Sequence, residues 1–259
     1  MSSNSTACPF IWYELLTTDS AAATAFYGKV LGWTAKDSGM PGGAYTLVSV
    51  GTVNVGGVMT LSPAACSGGA RPGWLHYVGV PNADACVEQV KAAGGALHMG
   101  PQDIPGIGRF ALVADPHGAP FYVMTPISNE PLPEVAPGAV GHVGWRELHA
   151  GNLDEAFRFH SGLFGWTKTE AMDMGPMGIY QMFAAGGDSI GGMMTKMADT
   201  PVPHWMYYFA VEAIDSGIAR VKEAGGAILM DAHQVPGGTW ISVCSDPQGA
   251  VFGILADKR

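Results

Sequence analysis

The chain has 259 residues, of which 47% are apolar and only 14% are charged, and its formal net charge is −9. This composition supports sizeable cores in two domains of about 120 residues each, and the acidic balance disfavours nucleic acid or a membrane surface as a partner. The N-terminus does not resemble a signal peptide, and the longest apolar runs are much shorter than the ~20 residues that span a bilayer. The four cysteines lack metal-binding spacing, so we expect a cytoplasmic protein with reduced thiols.

The first half of the chain predicts strands interrupted by two helices. Asp19 caps the first helix, which ends before Gly32. The second helix ends at Gly94, and its apolar positions have the spacing of one buried helical face. Strands are predicted over Phe10 to Thr17, Tyr45 to Val50, Val53 to Thr60, Trp74 to Val80, a short segment near Leu97, Arg109 to Val113 and Pro120 to Met124.

The second half repeats this order, so the chain is a tandem duplication. Trp12-Tyr13-Glu14-Leu15 becomes Trp145-Arg146-Glu147-Leu148, for example, and Asn152 with Glu155 forms a capping box at the equivalent first helix. A proline-rich linker at 127–138 separates two domains, predicted at 8–126 and 139–259. Strands of the second half are predicted over His142 to Ala150, Tyr180 to Ala185, Ser189 to Thr195, a short segment near Ile228, Trp240 to Cys244 and Val251 to Leu255.

Three short motifs indicate a family. They are Phe26-Tyr27-x-x-Val30-Leu31-Gly32-Trp33, Lys91-Ala92-Ala93-Gly94-Gly95 and Asp115-Pro116-x-Gly118. Together they resemble the vicinal oxygen chelate superfamily, which includes glyoxalase I, extradiol dioxygenases and bleomycin-resistance proteins. The Trp12-Tyr13-Glu14-Leu15 segment is most similar to a two-domain glyoxalase-like branch, described as hydroxylases or as relatives of lactoylglutathione lyase. The resemblance implies an α+β fold of four βαβββ modules, which form two half-barrel domains in tandem.

The resemblance also locates the metal-ligand positions of the family. In the metal-dependent members, a His or Gln on the first strand of a module and a Glu on its last strand bind the ion. Here the equivalent positions hold side chains that are poor ligands for a divalent metal. We therefore expect neither the usual metal site nor a cofactor, with a displaced divalent-metal site as the alternative. The substituted positions are Trp12, Leu75, Tyr122, Trp145, Met206 and Gly253.

Glu14 and Glu147 are among the few charged residues that are identical in both halves. Strand alternation places Glu14 on the face of Trp12 and Glu147 on the face of Trp145, and this face is expected to line a cleft. A carboxylate in an apolar cleft loses hydration, which raises its pKa and suits it to general acid or base catalysis. Three interpretations stay open: a catalytic role for both glutamates, a structural role as hydrogen-bond acceptors, and a displaced metal site.

Other side chains are candidates for ligand binding. No histidine is kept in both halves, but His149 follows Glu147 on the same strand face, which is a weak signal for acid–base or metal chemistry. Aromatic and methionine side chains could contact a planar or apolar ligand. These candidates are Trp12, Trp145, Tyr77, Tyr122, Tyr208, Met59 and Met194.

The sequence favours one function over two alternatives. We expect a protein that binds and transforms a small organic molecule in an aromatic cleft, as a metal-independent lyase or hydroxylase-like enzyme. A non-catalytic protein that sequesters a small molecule is the first alternative, and a metal-dependent lyase or dioxygenase is the second. A monomer is favoured over a homodimer, because two fused domains already supply the pairing that single-domain relatives obtain by dimerising.

Overall fold

The computed structural model describes residues 7–40, 45–128, 130 and 133–259. Three positions of the predicted linker, 129, 131 and 132, lie outside the described residues, as do the first six residues of the chain. Within the described residues, sixteen strands form two eight-stranded mixed sheets, accompanied by five α-helices. This α+β arrangement confirms the predicted fold class.

Each half of the sequence supplies one sheet. In the first half the helices are α1 (Ser20–Leu31), α2 (Pro63–Ser67) and α3 (Ala83–Ala92). The strands are β1 (Phe10–Thr17), β2 (Thr34–Asp37), β3 (Tyr45–Val50), β4 (Val53–Thr60), β5 (Gly73–Gly79), β6 (Ala96–Ile104), β7 (Gly108–Ala114) and β8 (Pro120–Pro126). Their order in the sheet is β2-β3-β4-β1-β5-β8-β7-β6.

The second half has the same sheet order, with each strand in its equivalent place. Its helices are α4 (Leu153–Phe164) and α5 (Ile214–Glu223). The strands are β9 (Val143–Ala150), β10 (Thr167–Asp173), β11 (Ile179–Ala184), β12 (Gly191–Thr195), β13 (His204–Ala210), β14 (Ala227–Gln234), β15 (Trp240–Ser245) and β16 (Val251–Ala256). Their order is β10-β11-β12-β9-β13-β16-β15-β14.

The helix ends follow the sequence signals closely. The Asp19 side chain accepts a hydrogen bond from the Ala22 amide, and the Asn152 side chain accepts one from the Glu155 amide. Gly32 and Gly165 end their helices in the left-handed conformation, with φ of 74° and 69°. A side chain is strained at such φ values, so glycine is the residue that fits both ends. The prediction lacked four elements: the exposed strand β2, the mostly exposed β10, the one-turn helix α2 and a 3-10 helix over Gly175–Met177.

Tertiary contacts divide the chain into two compact units, and each unit draws on both halves of the sequence. The first unit comprises the described residues of 1–11, 76–132 and 146–205. The second comprises those of 12–75, 133–145 and 206–259. Helix α3 contacts α4 in the first unit, and α1 contacts α5 in the second. Every contact considered below lies within one of these units.

Each unit has an aromatic core. In the first unit, Trp166 stacks on Phe10 and on Phe183, with ring centroids 4.8 and 5.0 Å apart, and its indole N–H donates to the Cys8 carbonyl. In the second unit the equivalent Trp33 stacks on Tyr27 at 5.5 Å and donates to the Gly141 carbonyl. Large aromatic side chains dominate burial energetics, so these clusters hold the sheets that present the candidate site.

Candidate functional site

The most polar cluster on a first strand of either half lies around Glu147 in the first unit. Strand β9 pairs in parallel with β12, so that Glu147 lies opposite Gly192. The Tyr180 ring from β11 covers Gly192 so closely that a Cβ there would overlap it. The Tyr180 hydroxyl then donates a hydrogen bond of 2.9 Å to Glu147 Oε2. Gly192 therefore makes room for the tyrosine that holds one oxygen of the carboxylate.

The second oxygen of Glu147 faces a histidine. The distance from Glu147 Oε1 to His149 Nε2 is 2.8 Å, and the two side chains are only 13% and 18% exposed. This Nε2 has no aligned hydrogen-bond acceptor among the described residues, so the two atoms are in close contact without an aligned hydrogen bond. Catalytic hydrogen bonds are often poorly aligned before a ligand binds. The predicted Glu-x-His pair is thus brought into direct contact.

A second histidine joins this cluster and was not predicted. His204, the first residue of β13, stacks on His149 with ring centroids 4.8 Å apart and planes inclined by 8°. Its Nδ1 lies 3.1 Å from the Val202 carbonyl, which can only accept, so Nδ1 carries the hydrogen and Nε2 the lone pair. Burial lowers the pKa of His204, and the hydrogen bond to the Val202 carbonyl opposes this shift. His204 is therefore a half-buried ring against which His149 is stacked.

The equivalent cluster on β1, in the second unit, is connected differently. Glu14 lies opposite Gly57 on β4, and the Tyr45 ring covers Gly57 just as Tyr180 covers Gly192. Here the tyrosine hydroxyl accepts a hydrogen bond of 2.8 Å from the Trp12 indole N–H. Glu14 is buried, and Leu16 occupies the place of His149. This half has the glutamate and the tyrosine but no histidine on the strand.

The resemblance assigns the last-strand metal-ligand positions to Tyr122 and Gly253. In the first unit Tyr122 stacks on Tyr77, with ring centroids 4.3 Å apart and planes inclined by 15°. In the second unit the Tyr208 ring covers Gly253, where a Cβ would overlap it. A phenol ring thus lies at one of these positions, as the Tyr122 side chain, and over the other, as the Tyr208 side chain. Among the described residues, no group of three or more His, Cys, Asp and Glu side chains is placed to hold a metal ion.

The remaining candidates are distributed over both units. In the first unit Met194 is buried and lies opposite His149 in register, which places it beside the Glu147 cluster. In the second unit Met59 is 36% exposed and pairs with Leu16 and Tyr45, and Trp145 is half-buried. A surface depression of about 470 Å³ in the first unit contains none of the predicted site residues and is lined by Ala93, Pro116, Glu155, Arg158, Phe159, Gly162 and Leu163.

A family model matches almost the entire chain. It is described as the Glyoxalase/Bleomycin resistance protein/Dioxygenase superfamily, and it matches residues 10–123 and again residues 139–254. The chain belongs to this superfamily. The two matches coincide with the two halves of the duplication, so the resemblance deduced from the short motifs is confirmed.

Two relatives from this glyoxalase superfamily match over most of their length. The protein named "Putative glyoxylase CFP32" from Mycobacterium bovis is 32% identical over 246 residues, which covers 94% of this chain and 93% of the relative. The "Anthracycline biosynthesis protein DnrV" from Streptomyces peucetius is 32% identical over 257 residues, with 94% and 91% covered. The complete two-domain arrangement is therefore shared with both relatives.

Solved structures show the same fold at lower identity. A Mn(II)-bound glyoxalase from Novosphingobium aromaticivorans is 17% identical with a TM-score of 0.66, covering 98% of this chain and 83% of that one. The 2,3-dioxygenase LapB from Pseudomonas sp. KL28 is 12% identical with a TM-score of 0.67, covering 97% and 93%. A Mn(II)-bound glyoxalase and a dioxygenase thus share the fold of this chain. None of the helices in the described residues is long and apolar enough to cross a membrane.

Proposed function

We propose that this glyoxalase-superfamily protein binds a planar aromatic molecule bearing a carbonyl or hydroxyl oxygen. We further propose that Glu147 and His149 transfer a proton on that molecule without a metal ion. The observation that carries the proposal is the contact of 2.8 Å between Glu147 and His149, together with the Tyr180 hydroxyl that holds the other carboxylate oxygen. Glu14 is proposed as a structural counterpart in the other half, because its strand lacks a histidine.

The chemistry follows from the orientation of the groups. With Nε2 directed at Glu147, the imidazole Nδ1 of His149 is the atom that accepts a proton from a carbon beside the ligand's carbonyl. The Glu147 carboxylate stabilises the imidazolium that forms, as a carboxylate does in other acid–base pairs. The proton returns to a different position of the same ligand, so that the reaction is an isomerisation and requires no redox partner.

The size and polarity of the ligand are proposed from the surroundings of the cluster. The turn before Tyr180 and the loop before His204 expose the apolar side chains of Met177, Ile179, Met197 and Val202. Exposed apolar side chains beside buried polar groups are typical of a site that takes a largely apolar ligand. One relative is named as an anthracycline biosynthesis protein, so we choose an anthracycline as the first probe.

A sequestering function is the second candidate. The stacked pair of Tyr77 and Tyr122 in the first unit is 4% and 2% exposed, so a planar ligand that stacks on either ring would have to insert into this buried aromatic cluster. Aromatic surface of this kind stabilises planar ligands by stacking and needs no proton transfer. A metal-dependent lyase or dioxygenase is favoured less, because the donor set at the family positions does not suit a divalent ion.

Thermal denaturation with an anthracycline tests binding. A ligand present at 100 times its Kd stabilises the protein by about 2.7 kcal/mol. Uptake of deuterium from D₂O into the bound molecule, followed by NMR, then tests proton transfer. Binding with deuterium uptake that is lost in Glu147→Gln supports the proposed enzyme, with Glu14→Gln as the matched control.

The other outcomes distinguish the alternatives. Binding without deuterium uptake in the wild type would favour sequestration and would contradict catalysis. Stoichiometric divalent metal in the purified protein, with a melting temperature that falls when a chelator is added, would favour the metal-dependent alternative. A monomer and a cytoplasmic location stay predictions, which gel filtration and cell fractionation would test.

A further inference from the structure

A hydrogen-bonded chain joins three buried side chains in the core of the second unit. The Trp74 indole N–H donates to the Tyr27 hydroxyl over 3.0 Å, and this hydroxyl donates to Asp246 Oδ2 over 3.2 Å. The other oxygen of Asp246 accepts from the amides of Gln248 and Ala250 in the turn. The phenol hydroxyl therefore connects a buried indole to a buried carboxylate. Each polar atom of these three side chains has a hydrogen-bond partner.

The internal repeat places Trp205, His160 and Asp115 at the same three positions in the first unit. The His160 ring has nearly the same geometry relative to its aromatic neighbours as the Tyr27 ring has in the second unit. His160 and Trp205 have centroids 5.4 Å apart and planes at 83°, whereas Tyr27 and Trp74 are 5.3 Å apart at 85°. His160 also lies at 89° to Phe159, and Tyr27 lies at 90° to Phe26. The imidazole thus takes the place of the phenol ring but lacks its hydroxyl.

The atoms that this hydroxyl would join are left without protein partners. Trp205 Nε1, Asp115 Oδ2 and both imidazole nitrogens of His160 are buried and have no hydrogen-bond partner among the described residues. His160 is fully buried, and Asp115 and Trp205 are 2% and 6% exposed. Asp115 Oδ1 is engaged with the amides of His117 and Ala119, as in the other unit. Of the two Asp115 oxygens, only Oδ2 is without a partner among the described residues, and it is the counterpart of the Asp246 oxygen that accepts from Tyr27.

We propose that the first unit binds one ordered water molecule between Trp205, His160 and Asp115, in the place of the Tyr27 hydroxyl. Buried polar atoms almost always have hydrogen-bond partners, and buried waters typically make about three hydrogen bonds. The water accepts from the Trp205 indole N–H, donates to Asp115 Oδ2 and makes a third bond to an imidazole nitrogen. The water completes in the first unit the series of hydrogen bonds that the Tyr27 hydroxyl completes in the second.

Crystal structures of the wild type and of His160→Tyr test this water site. In the wild type we expect a density peak within hydrogen-bond distance of Trp205 Nε1 and Asp115 Oδ2. In His160→Tyr the peak is replaced by the phenol oxygen, at the position that Tyr27 has in the other unit. Absence of the peak in a wild-type map that resolves other buried waters would overturn the proposal. A peak with an anomalous signal, or one that persists beside the new phenol, would also contradict it.

A measurement on the wild type avoids dependence on the variant's folding. The indole N–H of Trp205 should show a nuclear Overhauser effect to water, because water is its acceptor. The indole N–H of Trp74 is the matched control and should show none, since its acceptor is the Tyr27 hydroxyl. Trp205→Phe and Trp74→Phe assign the two signals. Equal behaviour of the two indoles would count against the water site.

Discussion

The clusters around Glu14 and Glu147 are counterparts in the repeat and differ two residues after the glutamate, where one has Leu16 and the other His149. In both, a tyrosine covers a glycine that lies opposite the glutamate. Tyr45 accepts from the Trp12 indole, whereas Tyr180 donates to the Glu147 carboxylate. The comparison teaches that the duplicated glutamate alone does not make a site. The single-copy histidines, His149 and His204, distinguish the cluster for which we propose proton transfer.

The largest difference is expected between Glu147→Gln and Glu14→Gln. Loss of a positioned acid or base slows turnover by about 10²- to 10⁴-fold, and we expect Glu147→Gln to fall in this range. Glu14→Gln should instead act mainly on folding, with a change of about 1 kcal/mol in the free energy of unfolding. Rates of deuterium exchange in the ligand and urea denaturation of both variants measure the two effects. Equal losses of rate in the two variants would show that both clusters are catalytic.

Low pH should destabilise the core of the first unit more than the core of the second. Burial lowers the pKa of His160 to about 3 and holds the pKa of His76 well below its usual value, whereas the equivalent positions of the second unit are Tyr27 and Tyr207. Because the folded pKa is depressed, this stability is fully present above the unfolded pKa of about 6.5 and is lost as the pH falls towards 3. Each buried histidine contributes a slope of about 1.4 kcal/mol per pH unit in that range.

His160→Tyr provides the control for the acid experiment. Urea denaturation between pH 7 and pH 4 should give a shallower pH dependence for this variant, because one titrating group is removed. Contributions from His204 and from carboxylates distant from His160 are common to both proteins and cancel in the difference, whereas His76 is relieved of repulsion by His160 and its smaller pKa shift adds to the expected change. If the wild type and the variant showed the same slope, the acid sensitivity would have to come from other groups.

The glycines under the two tyrosines should be similarly intolerant of a side chain. Gly192→Ala and Gly57→Ala each place a methyl group where the tyrosine ring lies, and such overpacking costs about 1–3 kcal/mol. Gly192→Ala should in addition reduce turnover, because displacement of Tyr180 releases Glu147. Gly162→Ala on α4 is the matched control, since its Cβ would meet no atom within 4 Å. That variant should gain about 0.5–1 kcal/mol, as alanine generally does in a helix.

The smallest effects are expected from removal of the hydroxyls alone. Tyr45→Phe leaves the Trp12 indole without its acceptor and should lower the free energy of unfolding by about 1 kcal/mol. Tyr180→Phe should have a similar effect on stability and should also change the pH profile of turnover, because Glu147 loses a donor. A pH profile that is altered by Tyr45→Phe but not by Tyr180→Phe would reverse the assignment of the two clusters.

Much of the fold could be predicted, because the spacing of apolar residues indicates the buried strands and helices and the glycines indicate the helix ends. Strands β2 and β10 could not, since β2 is fully exposed and β10 nearly so, and their pairing leaves no alternation in the sequence. The short helix α2 has a Ser62 cap but no buried residue to give a periodic signal. Exposed edge elements are determined by backbone hydrogen bonds to a neighbour, which sequence patterns do not show.

The candidate site was predictable in part. Comparison of the halves identified Glu14 and Glu147, and strand alternation placed His149 beside Glu147. The same comparison passed over His204, because its counterpart in the repeat is Gly73. No sequence pattern links Asp246 to Tyr27, which donates a hydrogen bond to it from 219 residues earlier in the chain. Comparison of the two halves identifies residues that both halves share and misses residues that are present in one half only.

The second unit is assembled from segments that are far apart in sequence, and this affects how it folds during synthesis on the ribosome. Tyr27 and Asp246 are 219 residues apart, and Arg220 contacts the Val30 carbonyl 190 residues earlier. Helix α1 therefore leaves the exit tunnel long before its partner α5 has been translated. All residues of the first unit have been synthesised once Trp205 is added. A premature stop codon beyond that point leaves the first unit with its full complement of residues and the second permanently unfinished.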